Sequence, residues 1–112
     1  MGIRDLFSSR GKATKIYKRG MEKANQRDHE GAIEDYSLIL EMSHAPLDVK
    51  AMARLNRALA RSSMGDDGVA MRDLTILMSD DSIPANVKTA AQDKIKRINR
   101  RIRKDREAAE SG

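Results

Sequence analysis

Two stretches of the sequence decide the fold: RGMEKANQRDHEGAIEDY at residues 19–36 and RALARSSMGDDGVAMRDL at residues 57–74. The second stretch begins 38 residues after the first, and the two share several residues and conservative pairs at that offset. The identical pairs are Arg19 with Arg57, Asp28 with Asp66, Ala32 with Ala70, and Asp35 with Asp73. A fixed period of this size is the sequence signature of stacked supersecondary units.

Each repeated unit is predicted to contain two helices. Apolar residues recur at spacings of three and four along residues 13–24 and 32–40, which is the pattern of helices with one buried face. The pattern returns along residues 49–59 and 69–78. We expect Asp28 and Asp66 to cap the second helix of each pair, Gly65 to end a helix, and Pro46 and Pro84 to lie in the first turn of the helices that follow.

Small residues recur where the two helices of a unit are expected to cross. Each first helix offers Gly20 or Ala58, and each second helix offers Ala32 or Ala70, so the helices can approach closely. A larger side chain one turn later is expected to fill the space above each crossing. These larger residues are Tyr36 in the first unit and Leu74 in the second.

A fifth helix is predicted after Pro84. Because stacked units cannot bury their own faces, such arrays normally need three or more of them. Two units therefore need a cap, and the stripe of the fifth helix is expected to cover residues 66–80. The stripe consists of Val87, Ala91, Ile95, Ile98 and Ile102.

The repeated pattern resembles the tetratricopeptide repeat (TPR), with a period somewhat longer than the usual ~34 residues. The resemblance is carried by Arg19, Gly20, Asp28, Ala32, Asp35, Tyr36 and Pro46, and again by Asn56, Arg57, Ala58, Gly65, Asp66, Ala70, Asp73, Leu74 and Pro84. It implies an all-α fold in which two helical hairpins and a C-terminal capping helix form a right-handed stack of five helices.

The predicted domain covers residues 12–106 and divides at the two prolines. Its parts are repeat 1 at residues 12–45, repeat 2 at residues 46–83 and the capping helix at residues 84–106. We expect residues 1–11 to form a flexible or short amphipathic segment and residues 107–112 to form a disordered tail.

The resemblance also implies a non-enzymatic protein-binding module. In this family the first helix of each pair lines a concave groove that holds a peptide or protein segment. Carried over to this sequence, the peptide-binding residues are Tyr17, Met21, Asn25, Met52, Asn56, Lys94 and Arg97. For Leu55 and Leu59, which lie on the same helix as Asn56, a place in the core is favoured. The expected partner is another protein or peptide, acidic ones included.

Composition argues against most catalytic and metal chemistry. The 112 residues contain no Cys and two His, which excludes disulfides, a thiol nucleophile and a histidine-rich metal site. No phosphate-binding loop or catalytic triad pattern is present. No apolar run is long enough to span a membrane. The sequence therefore predicts a protein without enzymatic activity or cofactor, and we expect a cytoplasmic location.

The distribution of charge leaves two alternatives open. Residues 1–27 and 82–112 carry net charges of +6 and +5, and residues 28–81 carry −6. A basic helical adaptor could bind nucleic acid through the last helix, since phosphate backbones attract dense positive charge. The candidate residues are Lys96, Arg100, Arg101, Arg103 and Lys104. The second alternative is a self-associating module, such as a homodimer, that uses the two open ends of the stack.

Overall fold

The computed structural model describes residues 8–112, and every helix boundary of its first hairpin returns 38 residues later. Within this part of the chain the helices are α1 (Ser9–Asn25), α2 (His29–Glu41), α3 (Leu47–Ser63), α4 (Asp67–Ser79) and α5 (Ala85–Ser111). None of residues 8–112 belongs to a strand. The prediction of an all-α fold is therefore confirmed for the described residues, with the predicted five helices.

The turn inside each hairpin has the same backbone geometry in both repeats. Arg27 and Gly65 lie 38 residues apart and both have a positive φ, of 63° and 83°. In each turn the following amide donates to a carbonyl five residues earlier, as in a Schellman helix end. These hydrogen bonds join Asp28 N to Lys23 O at 2.8 Å and Asp66 N to Arg61 O at 2.9 Å. Gly65 adopts this conformation without strain, whereas Arg27 does so at a steric cost.

The predicted helix starts are partly confirmed. Asp28 caps α2, because its side chain accepts a hydrogen bond from Gly31 N at 3.0 Å. Asp66 also lies at the N-cap position of α4, but its side chain makes no capping hydrogen bond, so the prediction of a side-chain cap there is wrong. The hydrogen bond from Asp66 N to Arg61 O fixes the backbone there instead. Pro46 and Pro84 lie at the N-cap positions of α3 and α5, one residue before the first turn.

The first hairpin closes where Gly20 of α1 lies against Tyr36 of α2. A Cβ atom added to Gly20 would lie 2.7 Å from Cε1 of Tyr36, which is closer than real Cβ atoms approach. In the second hairpin the same positions hold Ala58 and Leu74, and both are fully buried. In both hairpins, as expected, a small residue of the first helix therefore lies against a larger residue of the second helix.

The core consists of two apolar clusters, one for each hairpin. The first joins Ala13, Ala32, Tyr36 and Ile39 to Ala45, Val49 and Ala53, so it continues into α3. The second joins Ala51, Ala58, Ala70, Leu74 and Leu77 to Val87, Ala91 and Ile98 of α5. The last helix therefore covers α4 with the first four residues of the predicted stripe, since Ile95 also packs against this cluster.

Both ends of the domain differ from the sequence-based boundaries. The first helix begins at Ser9, and Ser8 caps it by accepting a hydrogen bond from Gly11 N at 3.0 Å. The other predicted N-terminal residues, 1–7, lie outside the described part of the chain. The last helix continues through the expected tail to Ser111, because residues 107–110 are good helix formers. Ile102 does not pack as expected and is 42% exposed, because α5 has by then passed the first residue of α4.

Candidate functional site

The first helices of the hairpins lie on the inner side of the stack. Helix α1 contacts α3, and α3 contacts α5, whereas α2 and α4 do not contact each other. Because the first helices lie closer together than the second helices, their layer forms the concave side. We call this side the first-helix surface. It includes Tyr17, Met21 and Asn25 of α1, Met52, Asn56 and Leu59 of α3, and Lys94 and Arg97 of α5.

Large apolar side chains remain exposed on the α1 and α3 part of this surface. Met21 is 41% exposed, Met52 is 40% exposed and Leu59 is 37% exposed. The sequence favoured a core position for both leucines, but only Leu55 packs against the core. Methionine side chains are flexible and polarizable, and they adapt well to the shape of a bound partner. This part of the surface therefore offers apolar contact to a ligand.

Tyr17 and Asn56 join the two first helices through a hydrogen bond. Asn56 Nδ2 donates to Tyr17 Oη at 2.8 Å and to the Met52 carbonyl at 2.9 Å. Since a carbonyl can only accept, the amide orientation of Asn56 is fixed. Asn56 Oδ1 is then left as an acceptor, and the Tyr17 hydroxyl keeps its proton to donate. The pair presents one donor and one acceptor, which is the complement of a peptide unit.

The surroundings of Tyr17 keep its hydroxyl protonated. Its ring lies against Tyr36, with the ring centroids 5.9 Å apart. Burial raises the pKa of Tyr17 above its ordinary value of 10.0, and the hydrogen bond with Asn56 lowers the pKa by a smaller amount. At neutral pH the phenol is therefore a hydrogen-bond donor.

The α5 part of the surface is cationic. Lys94 is half-buried and Arg97 is exposed. Within residues 8–112, neither side chain has a carboxylate oxygen within 4.0 Å.

Asn25 lies at the opposite end of the first-helix surface. It is exposed at the end of α1, about 12 Å along the helix axis from Tyr17. The structure therefore brings Tyr17 and Asn56 into contact, and it does not bring Asn25 to that pair.

A buried carboxylate in each hairpin neutralises cations of the first helix, a feature that the sequence analysis missed. Asp35 is 2% exposed and binds Arg19 through two hydrogen bonds, of 3.1 and 2.7 Å, and Lys23 at 3.1 Å. Burial would raise the pKa of Asp35, but the hydrogen bonds and charges of Arg19 and Lys23 outweigh it. The pKa therefore lies below its ordinary value of 3.8.

The second hairpin repeats this ion pair and adds to it. Asp73 is also 2% exposed, and Arg57 binds it through hydrogen bonds of 2.9 and 2.7 Å. Arg54 and Arg61 contact the same carboxylate at 3.2 and 3.1 Å. Arg57 also donates to Ser37 Oγ of the first hairpin at 3.1 Å. The signal for these pairs was present in the sequence, because an Arg and an Asp return together at the offset of 38.

The helices separate charge into two layers. Lys and Arg outnumber Asp and Glu by six to one in α1, four to one in α3 and nine to four in α5. The second helices are acidic: α2 has four carboxylates and no Lys or Arg, and α4 has two carboxylates and one Arg. Charge therefore separates by layer and not by chain segment, since the basic α3 lies within the acidic segment 28–81.

Arg101 differs from the other basic residues with which the sequence grouped it, because it forms an ion pair. Its guanidinium binds Asp67 of α4, with Nε and Nη2 donating at 3.0 and 2.7 Å, and it also contacts Ser62 at 3.2 Å. The hydrogen bonds from Arg101 are the main reason why the pKa of Asp67 lies below its ordinary value. Arg101 therefore fixes α5 against the start of α4.

Comparisons with known proteins were made by family models, by curated sequences and by solved structures. None of the three found a match. Within residues 8–112, no three His, Asp or Glu side chains lie close enough together to hold a metal ion. In the same residues, no helix is both long enough and apolar enough to cross a membrane.

Proposed function

We propose that the protein is a non-enzymatic binding module of the TPR type that holds a segment of another protein on its first-helix surface. The observation that carries the proposal is the hydrogen-bonded pair of Tyr17 and Asn56 between neighbouring first helices. Its free donor and free acceptor match a backbone C=O and N–H of a bound segment. Binding makes and breaks no covalent bond.

The surroundings of the pair favour a partner with both apolar and acidic residues. Met21 and Met52 offer apolar contact beside the pair, while Lys94 and Arg97 offer positive charge with no carboxylate oxygen of residues 8–112 within 4.0 Å. We therefore expect apolar side chains of the partner to contact α1 and α3, and its carboxylates to contact α5. The chain cannot form the disulfides that are common in oxidising compartments, so the proposal includes a cytoplasmic location.

A matched pair of variants tests which surface binds. Peptides that bind the wild-type protein are first selected from a random phage-display library. Calorimetry then measures their affinities for Met52→Glu and Leu38→Glu. The two wild-type side chains have similar exposure, 40% and 45%, but Leu38 lies on α2 in the acidic layer. We expect Met52→Glu to weaken binding roughly tenfold or more and Leu38→Glu to leave it unchanged. Equal affinities, or a loss confined to Leu38→Glu, would contradict the proposal.

Association through the open ends is disfavoured by the residues found there. At the crossing position, where α1 has Gly20 and α3 has Ala58, α5 has the exposed Lys96. A further second helix could not pack closely against that side chain. At the other end, Lys15 of α1 occupies the position where α3 packs Ala53 against the first hairpin. Both ends therefore place a cation where stacking needs a small apolar residue.

A further inference from the structure

Four basic side chains of α5 form an exposed strip on the side opposite to its packed face. We call Lys96, Arg100, Arg103 and Lys104 the basic strip. With 3.6 residues per turn they lie within an arc of about 100° and about 12 Å of helix length. The packed residues Val87, Ala91 and Ile98 are centred on the opposite side of the helix. All four strip residues are exposed, and the strip excludes Lys94 and Arg97 of the first-helix surface.

The strip is not neutralised within the described part of the chain. In residues 8–112, no carboxylate oxygen lies within 4.0 Å of any of its four cationic groups. In α1 and α3, a carboxylate of the following helix binds part of the cations: Asp35 binds Arg19 and Lys23, and Asp73 binds Arg54, Arg57 and Arg61. The strip residues form no equivalent ion pair with the described carboxylates. The cationic groups of the strip are therefore available for contact with an external anion.

The end of α5 is not covered on any side by the other described residues. The contact between Arg101 and Asp67 marks the point where α5 passes the start of α4. Every residue from 99 onward is exposed. A helix with its side chains is about 10–12 Å wide, and the major groove of a DNA duplex is about 12 Å wide. The projecting helix can therefore lie along that groove, with the basic strip facing the phosphates of one strand.

We propose that the basic strip binds the phosphate backbone of double-stranded DNA. Single strands are a poorer fit, because α5 carries no aromatic side chain on which bases could stack. Duplex RNA is a poorer fit because its major groove is deep and narrow. A membrane surface is a poorer fit because Ile102 is the only large apolar residue in the described segment from 99 to 112. The inference is independent of peptide binding on the first-helix surface.

Fluorescence anisotropy with a labelled DNA duplex of mixed sequence tests the proposal. Four phosphate contacts predict that affinity falls roughly 100-fold between 50 and 200 mM salt. We expect the double variant Arg100→Glu with Arg103→Glu to weaken binding roughly tenfold or more at 50 mM salt. The matched control is Lys12→Glu with Lys15→Glu, which changes the net charge equally at two exposed positions of α1. We expect this control to retain most of the affinity.

Several results would overturn the proposal. Equal weakening by the two double variants would mean that only net charge matters. A polyglutamate peptide, or vesicles containing phosphatidylserine, that bound as tightly as DNA would identify a different class of partner. Absence of DNA binding at 50 mM salt would also reject it. Circular dichroism at 222 nm shows whether each variant is folded, and exposed strip residues leave the core intact. Peptide binding to wild-type protein would be unaffected by any of these outcomes.

Discussion

Gly20 and Tyr36 are a matched pair of residues in the first hairpin, and Ala58 and Leu74 are the corresponding pair in the second. The missing side chain at Gly20 leaves room for the Tyr36 ring, whose nearest atoms would lie 2.7–3.2 Å from an added Cβ. Where Leu74 replaces the ring, the first helix carries a methyl group instead. In each pair the two side chains share one volume at the helix crossing. We therefore expect the two residues of a pair to be energetically coupled.

A double-mutant cycle measures this coupling. Gly20→Ala alone should destabilise the protein by about 1–3 kcal/mol, because the added methyl group overpacks the crossing. Combining it with Tyr36→Leu recreates the pair of the second hairpin. We therefore expect the double variant to lose less stability than the sum of the single variants, as measured by urea unfolding. Additive losses would show that the two residues do not compete for space.

Among the described carboxylates, Asp73 binds the greatest number of Lys and Arg side chains. Removing its charge leaves Arg54, Arg57 and Arg61 partly buried without their common partner. Asp73→Asn should therefore cost about 3–5 kcal/mol, the usual loss when one member of a buried ion pair is removed. Asp66→Asn is the control, because its exposed side chain makes no capping hydrogen bond, and it should change stability by less than about 0.5 kcal/mol. Comparable losses in urea unfolding would contradict the role assigned to Asp73.

The two tyrosines set an alkaline limit to stability. Burial, followed by the nearby charges of Tyr17 and Asp35, raises the pKa of Tyr36 to about 12 from its ordinary value of 10.0. Because the folded-state pKa is the higher one, the associated stability is full below pH 10 and is lost as the pH rises to about 12. Tyr36→Phe should lose less stability than wild type between pH 10 and 12. Parallel declines of the two unfolding free energies would reject this assignment.

At the scale of elements, α5 combines a packed half with a projecting half. Its first half closes the second core cluster through Val87, Ala91 and Ile98, while all residues beyond 98 are exposed. Packing against the rest of the fold therefore contributes little to the stability of the projecting half. Its helical form follows from local propensity alone, and we expect it to unfold locally before the packed half does.

Two truncations separate the halves of α5. Ending the chain after Pro84 exposes Leu74 and Leu77 to water, so we expect the domain to unfold. Ending it after Asp105 removes only exposed residues, so the melting temperature should shift by less than about 2 °C. Thermal melts followed by circular dichroism distinguish the two. An unchanged cooperative melt after the longer deletion would show that α5 does not cap the stack.

At the scale of the whole molecule, the projecting helix makes the protein elongated. The radius of gyration is 15.9 Å, and the overall dimensions are 64 × 31 × 19 Å. A compact domain of this length would have a radius of gyration of about 13 Å. The shape therefore separates two surfaces: the concave layer of first helices, and the basic strip near the far end of α5.

The cations at both open ends predict a monomer. Lys15 and Lys96 lie where further hairpins would need small apolar residues, so the stack should not extend by adding a second copy. Light scattering should give a molar mass of 12.5 kDa that does not change with protein concentration. A mass that rises with concentration would favour the self-associating alternative.

The sequence by itself determined the number of helices, their period and the residues at the helix crossings. These features depend on spacing and propensity within short stretches, and Gly20, Asp28 and Ala58 lie where the pattern placed them. The predicted tail became helix because no local signal ends α5 before Gly112. Tyr17 and Asn56 were also both named from the sequence as candidate binding residues, but the hydrogen bond between them was not predicted.

Only the tertiary structure decided which charges are neutralised and which remain free. Arg101 and Arg100 are neighbours in sequence, yet Arg101 is paired with Asp67 and Arg100 lies in the basic strip. Whether a cation contacts a carboxylate depends on how two helices pack, because their side chains meet across a distance that no local spacing fixes. For the same reason the separation into a basic inner layer and an acidic outer layer emerged only when the hairpins were stacked.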